Sequence, residues 1–446
     1  MRLDKRWMAV VCVVCGAVGM VRAAEGNWPM WRGAGGMGVA AEGANPVIEW
    51  GEGKNIKWKV KLAGSGTASP VVWGDRIFVQ TAIATGKKGE AAAQPAVAQP
   101  AAVGGRGGLS RAPSGVYQFV LMCLDRRDGK VMWQKVVREE MPHEGHHPDH
   151  GFASYSPVTD GKVVVAFFGS RGLHCFDMEG NLKWAKDFGR MKIKMAFGEG
   201  CSPTLYGGKV IVNWDHEGED FIVAMETETG KELWRTARDE ETSWATPVVV
   251  EHEGKSQVVT SATKRIRSYD VQTGKLLWEC GGLTANVIPS PVAGDGIVYA
   301  ASGFRGNALL AIRLGRSGDL TGTDAIAWSS KKGTPYVPSP LLYGGRLYLF
   351  AGNTGSLTCV EAKTGKVLID GKRIEGLEGV YASPVGVGGR VYVVGRNGVT
   401  VVIRNSDALE VLATNQLEER IDASPAVVGN ELLLRGREFL YCIGEK

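Results

Sequence analysis

Short apolar runs separated by glycine-rich turns recur along the chain. In residues 204–214, TLYGGKVIVNW carries the Gly207-Gly208 turn, and FIVAMETETGKELW follows at residues 221–234. Runs rich in Val, Ile, Leu and Tyr between such turns predict strands. The runs alternate or are continuously apolar, whereas helices would place apolar residues three and four apart. The pattern predicts an all-β protein.

One sequence unit occurs eight times. Each copy starts with Ser-Pro or Thr-Pro and continues with a Gly turn, β runs, an acidic residue, Gly-Lys and usually Trp. The copies start at Ser69, Ser156, Ser202, Thr246, Ser290, Ser339, Ser383 and Ser424. Beyond the first, they are spaced by about 45 residues, the length of a four-stranded propeller blade. The repeat predicts an eight-bladed β-propeller.

The two ends of the repeat array complement each other. The last copy ends after its third strand, at Leu440–Ile443, while residues 53–62 read GKNIKWKVKL and place Gly53-Lys54 before Trp58 as the outer strands do. Pairing this N-terminal strand with the last blade removes open sheet edges. We therefore expect the ring to close in this way.

The domain organisation follows from the segments outside the repeat. Arg2, Lys5 and Arg6 precede an apolar run that ends at Val21-Arg22-Ala23, which predicts a signal peptide at residues 1–23. The alternative is a membrane anchor, but the run is shorter than the roughly 20 residues that span a bilayer. Residues 24–50 form a Trp-rich N-terminal segment, and residues 51–446 form a single propeller. We expect a periplasmic or secreted protein without a membrane span.

Blade one carries an insertion at about residues 85–114, rich in Ala, Gly, Pro and Gln. Such a composition cannot build a core, and the repeat resumes in phase after it. We interpret the insertion as a disordered surface loop.

Most tryptophans and cysteines fit structural positions of the repeat. A Trp ends the outer strand of six copies, and such a repeated position predicts packing between blades; these are Trp58, Trp133, Trp184, Trp234, Trp278 and Trp328. Four cysteines occupy one slot in four different blades, too far apart for disulfides; these are Cys123, Cys175, Cys359 and Cys442. A Cys201–Cys280 disulfide stays an alternative.

Composition narrows the function classes. The 446 residues include 62 glycines, in keeping with many turns, and 52 basic against 47 acidic side chains give a formal net charge of +5. A nearly balanced charge without a basic block argues against nucleic-acid binding.

The spacing from Asp125 to Trp133, from Glu226 to Trp234 and from Asp270 to Trp278 resembles the tryptophan-docking repeats of pyrroloquinoline quinone (PQQ)-like propellers. The resemblance covers nearly the whole mature chain. It implies kinship with the propeller subunit of the outer-membrane β-barrel assembly machinery and, more distantly, with quinone-dependent alcohol dehydrogenases. Exported PQQ-like proteins of unassigned function also begin with Trp-Pro-x-Trp-Arg-Gly, here Trp28 to Gly33.

The resemblance implies two functions. The dehydrogenase branch uses a disulfide between adjacent cysteines and a Glu, an Asn and an Asp around calcium; this chain has no adjacent cysteines. We therefore predict no catalytic residue and no required cofactor, and favour a binding or scaffold module. The alternative is a PQQ-dependent oxidoreductase of alcohols or sugars with altered ligands for PQQ and calcium.

Candidate ligand-binding residues lie in the turns between second and third strands, which share one rim with the connections between blades. They are Arg171, Asp215, His216, Arg265, Arg305, Arg396 and Arg435. Convergent arginines would focus positive potential and grip an anion with paired donors. The alternative is that they pair with nearby acids or carbonyls and brace the turns. We predict an unknown protein, a glycan or a small anionic ligand as the partner.

A histidine-rich segment joins blade one to blade two on the same rim. It contains His143, His146, His147 and His150 and matches H-E-x-x-H, but Pro142, Gly145 and Pro148 argue against the helix that a zinc-protease motif needs. These histidines are weak metal candidates, and a polar loop is the favoured interpretation. The repeated serines precede prolines at strand starts, where their hydroxyls are expected to bond nearby backbone rather than act as nucleophiles.

Overall fold

The protein is a β-propeller of eight blades, each with four antiparallel strands. The computed structural model describes residues 26–89, 113 and 115–445. The signal peptide predicted at residues 1–23 and most of the predicted insertion at 85–114 lie outside these residues. The predicted all-β fold and the number of blades are confirmed.

The strands follow the repeat, and we number the blades in chain order and give each from its inner to its outer strand. Blade 1 contains Val71–Trp73, Arg76–Ala84, Tyr117–Asp125 and Val131–Glu140. Blade 2 contains Val158–Thr159, Val163–Phe167, Leu173–Asp177 and Leu182–Lys186. Blade 3 contains Thr204–Tyr206, Lys209–Trp214, Phe221–Glu226 and Glu232–Ala237. Blade 4 contains Val248–His252, Lys255–Thr260, Ile266–Asp270 and Leu276–Cys280.

The second half of the ring repeats the pattern. Blade 5 contains Val292–Gly294, Ile297–Ser302, Ala308–Arg313 and Ile326–Ser330. Blade 6 contains Leu341–Tyr343, Arg346–Phe350, Ser356–Glu361 and Val367–Arg373. Blade 7 contains Val385–Val387, Arg390–Val394, Val399–Arg404 and Val411–Gln416. Blade 8 contains Ala426–Val428, Glu431–Arg435, Phe439–Ile443 and, as its outer strand, Ile56–Lys61.

A few short elements lie outside the four-stranded pattern. Asn27–Trp28 pairs with the inner strand of blade 1, and Gly318–Asp319 pairs in parallel with the outer strand of blade 4. Short 3-10 turns lie at Ala34–Gly36, Gly169–Arg171, Lys194–Ala196 and Ala351–Asn353. No helix in the described ranges is long and apolar enough to cross a bilayer.

The outer-strand tryptophans dock each blade on the next. Each indole N–H donates to a backbone carbonyl of the following blade in the pairs Trp58–Arg126, Trp133–Met178, Trp184–Thr227, Trp234–Val271 and Trp328–Ala362. A Cβ on Gly129 would lie 2.8 Å from the ring of Trp58, so the Gly of Gly-Lys leaves room for the indole. Trp278 differs and donates to Gln257 of its own blade. The packing role predicted for the repeated tryptophans is thus visible in five junctions.

Ring closure follows the expected route. Ile56–Lys61 runs antiparallel to Phe439–Ile443, with Trp58 opposite Cys442. Trp58 then docks on blade 1 through Arg126, at a nitrogen–oxygen distance of 2.8 Å. The N-terminal strand therefore completes blade 8 and bonds the two ends of the ring.

The cysteines are small apolar core residues. The six cysteines of the described chain are all free and buried, so the Cys201–Cys280 alternative is not realised. Cys123 and Cys442 lie fully buried in third strands, and burial raises the pKa of each thiol to about 12.

The N-terminal segment enters the central channel, which the sequence did not indicate. Asn27 pairs with Trp73 of blade 1, and the Pro29 carbonyl accepts from Thr159 of blade 2. Further along, Arg32 donates to Pro340 at the start of blade 6, and Val39 bridges to Gly386 of blade 7. Since blades 2 and 6 lie on opposite sides of an eight-membered ring, residues 26–39 cross its axis. We call these residues the channel plug.

Candidate functional site

Two long connections meet on the face that carries the second turns of the blades. Residues 141–157 join blades 1 and 2, and residues 187–203 join blades 2 and 3. The ring Nε2 of His143 lies 2.7 Å from the Met191 carbonyl, and the Ile193 N–H donates to the Glu144 carboxylate at 3.0 Å. We call the two connections the mouth pad and this side of the ring the mouth face.

An acidic side chain of the mouth pad reaches across the mouth face to blade 7 and to the connection between blades 7 and 8. Asp149 binds Arg396 at 2.8 Å and Arg420 at 2.9 Å, and both arginines also bind Asp422. The Arg396 guanidinium lies 3.7 Å from the ring centroid of Tyr381, whose hydroxyl donates to Asp149. The cluster braces the mouth pad against blades 7 and 8 and balances the charge of Arg396.

Arg171 is buried in a second network below the mouth pad. Its guanidinium binds Glu199 at 3.0 Å and Glu140 at 3.3 Å, and it lies over the ring of Phe119. The carboxylate of Glu199 also accepts from the hydroxyl of Tyr155, and burial next to this charge raises the pKa of Tyr155. The bonds of Arg171 join blade 1 to the mouth pad.

Asp215 and His216 lie close together, but their side chains make different contacts. Asp215 binds Arg238 at 2.6 Å, with both side chains fully buried. The ring Nδ1 of His216 accepts from the Lys192 N–H at 3.1 Å, which ties blade 3 to the mouth pad. Burial lowers the pKa of His216, and it raises that of the neighbouring Asp220 to about 7.

The structure separates the remaining arginines. Arg265 binds Glu279 of the outer strand of blade 4 and Asp319 of the short strand beside it, away from the channel. Arg435 is buried and donates to the carbonyls of Ala68 and Gln80. This burial lowers the pKa of Arg435 to about 9.

Arg305 occupies an exposed turn of blade 5. Its backbone φ is 53°, and its guanidinium lies 5.4 Å from the ring centroid of Phe304. Phe304 in turn stacks on Tyr336, with ring centroids 5.1 Å apart. Among the described residues, Arg305 has no carboxylate partner within ion-pair distance. It is the candidate arginine whose charge stays available on the mouth face.

The predicted residues therefore do not form one group of uncompensated charge. Three of the arginines pair with carboxylates and a fourth bonds carbonyls; these are Arg171, Arg265, Arg396 and Arg435. The sequence analysis did not single out Asp149 as a partner of these arginines. Asp149 lies in a connection that is not repeated in other blades, so no periodic signal marks it.

The four histidines of the mouth pad bond backbone groups. Ring nitrogens of His143, His146 and His150 face the carbonyls of Met191, His147 and Gly151, and His147 accepts from the Asp149 N–H. Across the described chain, no three His, Cys, Asp or Glu side chains are arranged to hold a metal ion.

A small cavity lies beneath the mouth pad. The cavity between Arg171, Glu199 and Phe152 measures about 10 Å³, which is at the lower limit for one water molecule. A three-ring quinone does not fit there, and the carboxylate of Glu199 already has four donors, from Tyr155, Arg171, and the backbone and side chain of Ser170.

A larger cavity of about 710 Å³ lies on the opposite face, between residues 45–49 and blade 8. Part of its charged lining is paired within the chain, since Lys57 and Arg126 both bind Glu431, whereas Arg390 donates to the side chain of Asn45.

Comparison with known proteins places this geometry in context. A protein-family model described as outer membrane protein assembly factor BamB matches residues 118–368 and 218–442, which is more than half of the chain. No curated protein matches the sequence significantly.

Solved structures share the architecture. BamB from Moraxella catarrhalis has a TM-score of 0.56 at 15% identity and covers 86% of this chain and 98% of its own. Quinohemoprotein alcohol dehydrogenase from Comamonas testosteroni has a TM-score of 0.62 at 12% identity and covers 95% and 82%. A europium-containing methanol dehydrogenase has a TM-score of 0.62 at 10% identity and covers 94% and 98%. At these identities the likeness establishes a common fold.

Proposed function

We propose that this chain, which belongs to the protein family described as outer membrane protein assembly factor BamB, is an exported binding module that docks a protein partner on its mouth face. The observation that carries the proposal is the brace from Asp149 to Arg396 and Arg420. It fixes the mouth pad against blades 7 and 8, so the face offers a preformed surface to a partner.

The mouth face combines apolar and charged contact groups. Met195 of the mouth pad is 71% exposed. Its backbone φ is 52°, a conformation that is strained for residues other than glycine. On blade 5, Arg305 lies beside the stacked rings of Phe304 and Tyr336. Aromatic, Met and Arg side chains are enriched at interface centres. A partner segment with acidic and apolar residues would complement this surface.

We still propose an acidic partner, but the ion pairs of the mouth face limit which arginine can bind its carboxylates. Because the carboxylates around Arg171, Arg265 and Arg396 already neutralise those residues, the partner acid would pair with Arg305. An exposed pair of this kind contributes mainly to association rate and specificity. Export rests on the signal peptide predicted at residues 1–23 and suits a protein that meets its partner in the periplasm or outside the cell.

Site-specific photo-cross-linking tests the docking face. A photo-reactive phenylalanine replaces Met195 on the mouth pad in one variant and Val367 on the outer strand of blade 6, 52% exposed, in a matched control. Illumination of cells that export each variant should give a discrete adduct from position 195 and none from 367. Equal adduct patterns from both positions, or none from either, would contradict the proposal.

The second function, a PQQ-dependent oxidoreductase, is favoured only by fold. Two of the similar structures are named as dehydrogenases, but the cavity of about 10 Å³ at Glu199 does not fit the quinone. Purified protein mixed with calcium and PQQ, followed by absorbance and dye-linked alcohol oxidation, tests this function directly. A stoichiometric quinone spectrum with turnover would replace the binding-module account.

A further inference from the structure

The cavity of about 710 Å³ on the face opposite the mouth face has the size of a small-molecule site. Its walls include residues 45–49, Arg390 at the start of the second strand of blade 7, the turn of blade 8 at Gly429, and Arg126 of blade 1. Blades 7 and 1 flank blade 8, so the cavity extends across blade 8 from one arginine to the other. We call it the distal cavity.

Arg390 gives the blade 7 end of the distal cavity an unbalanced positive charge. Among the described residues it pairs with no carboxylate. Its Nη2 donates instead to the side-chain oxygen of Asn45, and its Nε is buried without a hydrogen-bond partner. Gly388 makes room for this guanidinium, since an added Cβ would lie 2.7 Å from Nη2. The Nη1 of Arg390 remains as a donor for a ligand in the cavity.

The blade 1 end of the distal cavity also has more positive than negative charge. Lys57 at 2.5 Å and Arg126 at 3.1 Å share the single carboxylate of Glu431. One negative charge balances only one of these two cations, so one positive charge remains. The other charged lining residues change this little, because two form an ion pair with each other and the third is exposed, where water and salt screen its charge; these are Lys54 with Glu49, and Glu445.

Apolar side chains line the distal cavity between its charged ends, and the chain holds their backbone in place. Val47 and Val428 are among these side chains. The Tyr392 hydroxyl donates to the carbonyls of Pro46 at 3.0 Å and Val47 at 3.2 Å. The Asn45 N–H donates to the Gly429 carbonyl at 3.2 Å. A ligand would therefore enter a preformed site and would not have to order its walls.

We propose that the distal cavity binds a small, elongated organic dianion, an aliphatic chain with a carboxylate at each end. One carboxylate would bind Arg390 and the other Lys57 and Arg126, because guanidinium groups bind carboxylates with paired N–H donors. The aliphatic chain would pack against Val47 and Val428, which removes apolar surface from water. The site is separate from the mouth face and does not depend on the proposed function.

Calorimetric titration of the purified protein with α,ω-dicarboxylates of increasing length tests the site. The key comparison is suberate against octanoate, the monocarboxylate of equal chain length, which can contact only one cationic end. We expect suberate to saturate a single site and octanoate to bind about tenfold or more weakly. Equal affinities for suberate and octanoate, or no saturable binding by any dicarboxylate of the series, would overturn the proposal.

Variants assign the binding to the distal cavity. Arg390→Gln removes one cationic end, so it should weaken suberate binding about tenfold and bring it near that of octanoate. Arg404→Gln is the matched control with the same change of charge, since Arg404 lies opposite Arg390 on the neighbouring strand and binds Glu410 outside the cavity lining. Suberate affinity that is unchanged in Arg390→Gln, or lowered equally in Arg404→Gln, would overturn the proposal. The comparison of suberate with octanoate uses the unaltered chain and holds whether or not a variant folds.

Discussion

The backbone N–H of Ser69 donates to the hydroxyl of Ser156 across the junction between blades 1 and 2, at 2.9 Å. The next junction repeats this bond, from the Ser156 N–H to Ser202 Oγ. The repeated Ser-Pro start therefore bonds the neighbouring blade and not, as the sequence led us to expect, its own nearby backbone. These bonds run around the channel wall, while the tryptophans dock the blades at the periphery.

Removal of one such hydroxyl should weaken the ring. In Ser383→Ala the buried N–H of Ser339 loses its acceptor, which we expect to lower the free energy of unfolding by about 1–3 kcal/mol. Denaturant melts measure the change. The control Ser406→Ala lies in an exposed turn and should stay within about 0.5 kcal/mol of wild type. Equal losses of unfolding free energy in both variants would show that the inter-blade bond stabilises the ring no more than an exposed hydroxyl does.

Ring closure depends on Trp58 and Gly129, which meet between blades 8 and 1. In Gly129→Ala the new Cβ would lie 2.8 Å from the indole, and the backbone φ is 74°. We expect a loss of about 2–4 kcal/mol. Gly74→Ala is the control, because Gly74 has a φ of 56° with no atom within 4 Å of an added Cβ. If thermal unfolding shifts equally in both variants, conformational strain and not closure explains the effect.

The brace at the mouth should control the mobility of the mouth pad. Asp149→Asn removes the charge that Arg396 and Arg420 share, while Asp422 still binds both arginines. We expect hydrogen exchange of amides in residues 141–157 to accelerate several-fold, with little change in global stability. Exchange that stays at the wild-type rate in this segment would show that the brace is incidental.

Asp220 should make stability depend on pH. Burial, reinforced by the charge of Asp215, raises the pKa of Asp220 to about 7. The folded state therefore holds a proton that the unfolded state releases between about pH 4 and 7, and stability falls as pH rises through this window. Asp220→Asn should match wild type near pH 4 and exceed it by on the order of 1–3 kcal/mol at pH 8. A difference that does not change with pH would refute this assignment.

The sequence predicted those parts of the molecule that repeat. Trp58 was recognisable as the outer strand of blade 8 because Gly53-Lys54 precedes it as in other copies, and the structure pairs it with Cys442. Arg171 and Arg396 were placed in the correct turns, but their carboxylate partners Glu199 and Asp149 lie in unrepeated connections. Contacts between such segments depend on the three-dimensional path of the chain, which no periodicity encodes.

The channel plug illustrates the same limit. Trp28 to Gly33 stood out as a motif, yet nothing in its residues indicated that it would enter the channel. The bond from Arg32 to Pro340 spans more than 300 positions in the chain. Only the closed ring of inner strands provides the wall against which this segment packs.

The most direct test of the binding-module account measures whether Arg305 controls docking at the mouth face. A photo-reactive phenylalanine replaces Tyr336, whose ring stacks on Phe304 beside Arg305. The adduct yield of this variant with the native Arg305 is compared with the yields after Arg305→Glu and after the control substitution Arg127→Glu. Arg127 lies in an exposed turn of blade 1 and binds Asp125. We predict a discrete protein adduct that Arg305→Glu reduces at least tenfold and Arg127→Glu leaves unchanged. An adduct that is insensitive to Arg305→Glu, or no adduct in exporting cells, would contradict the account.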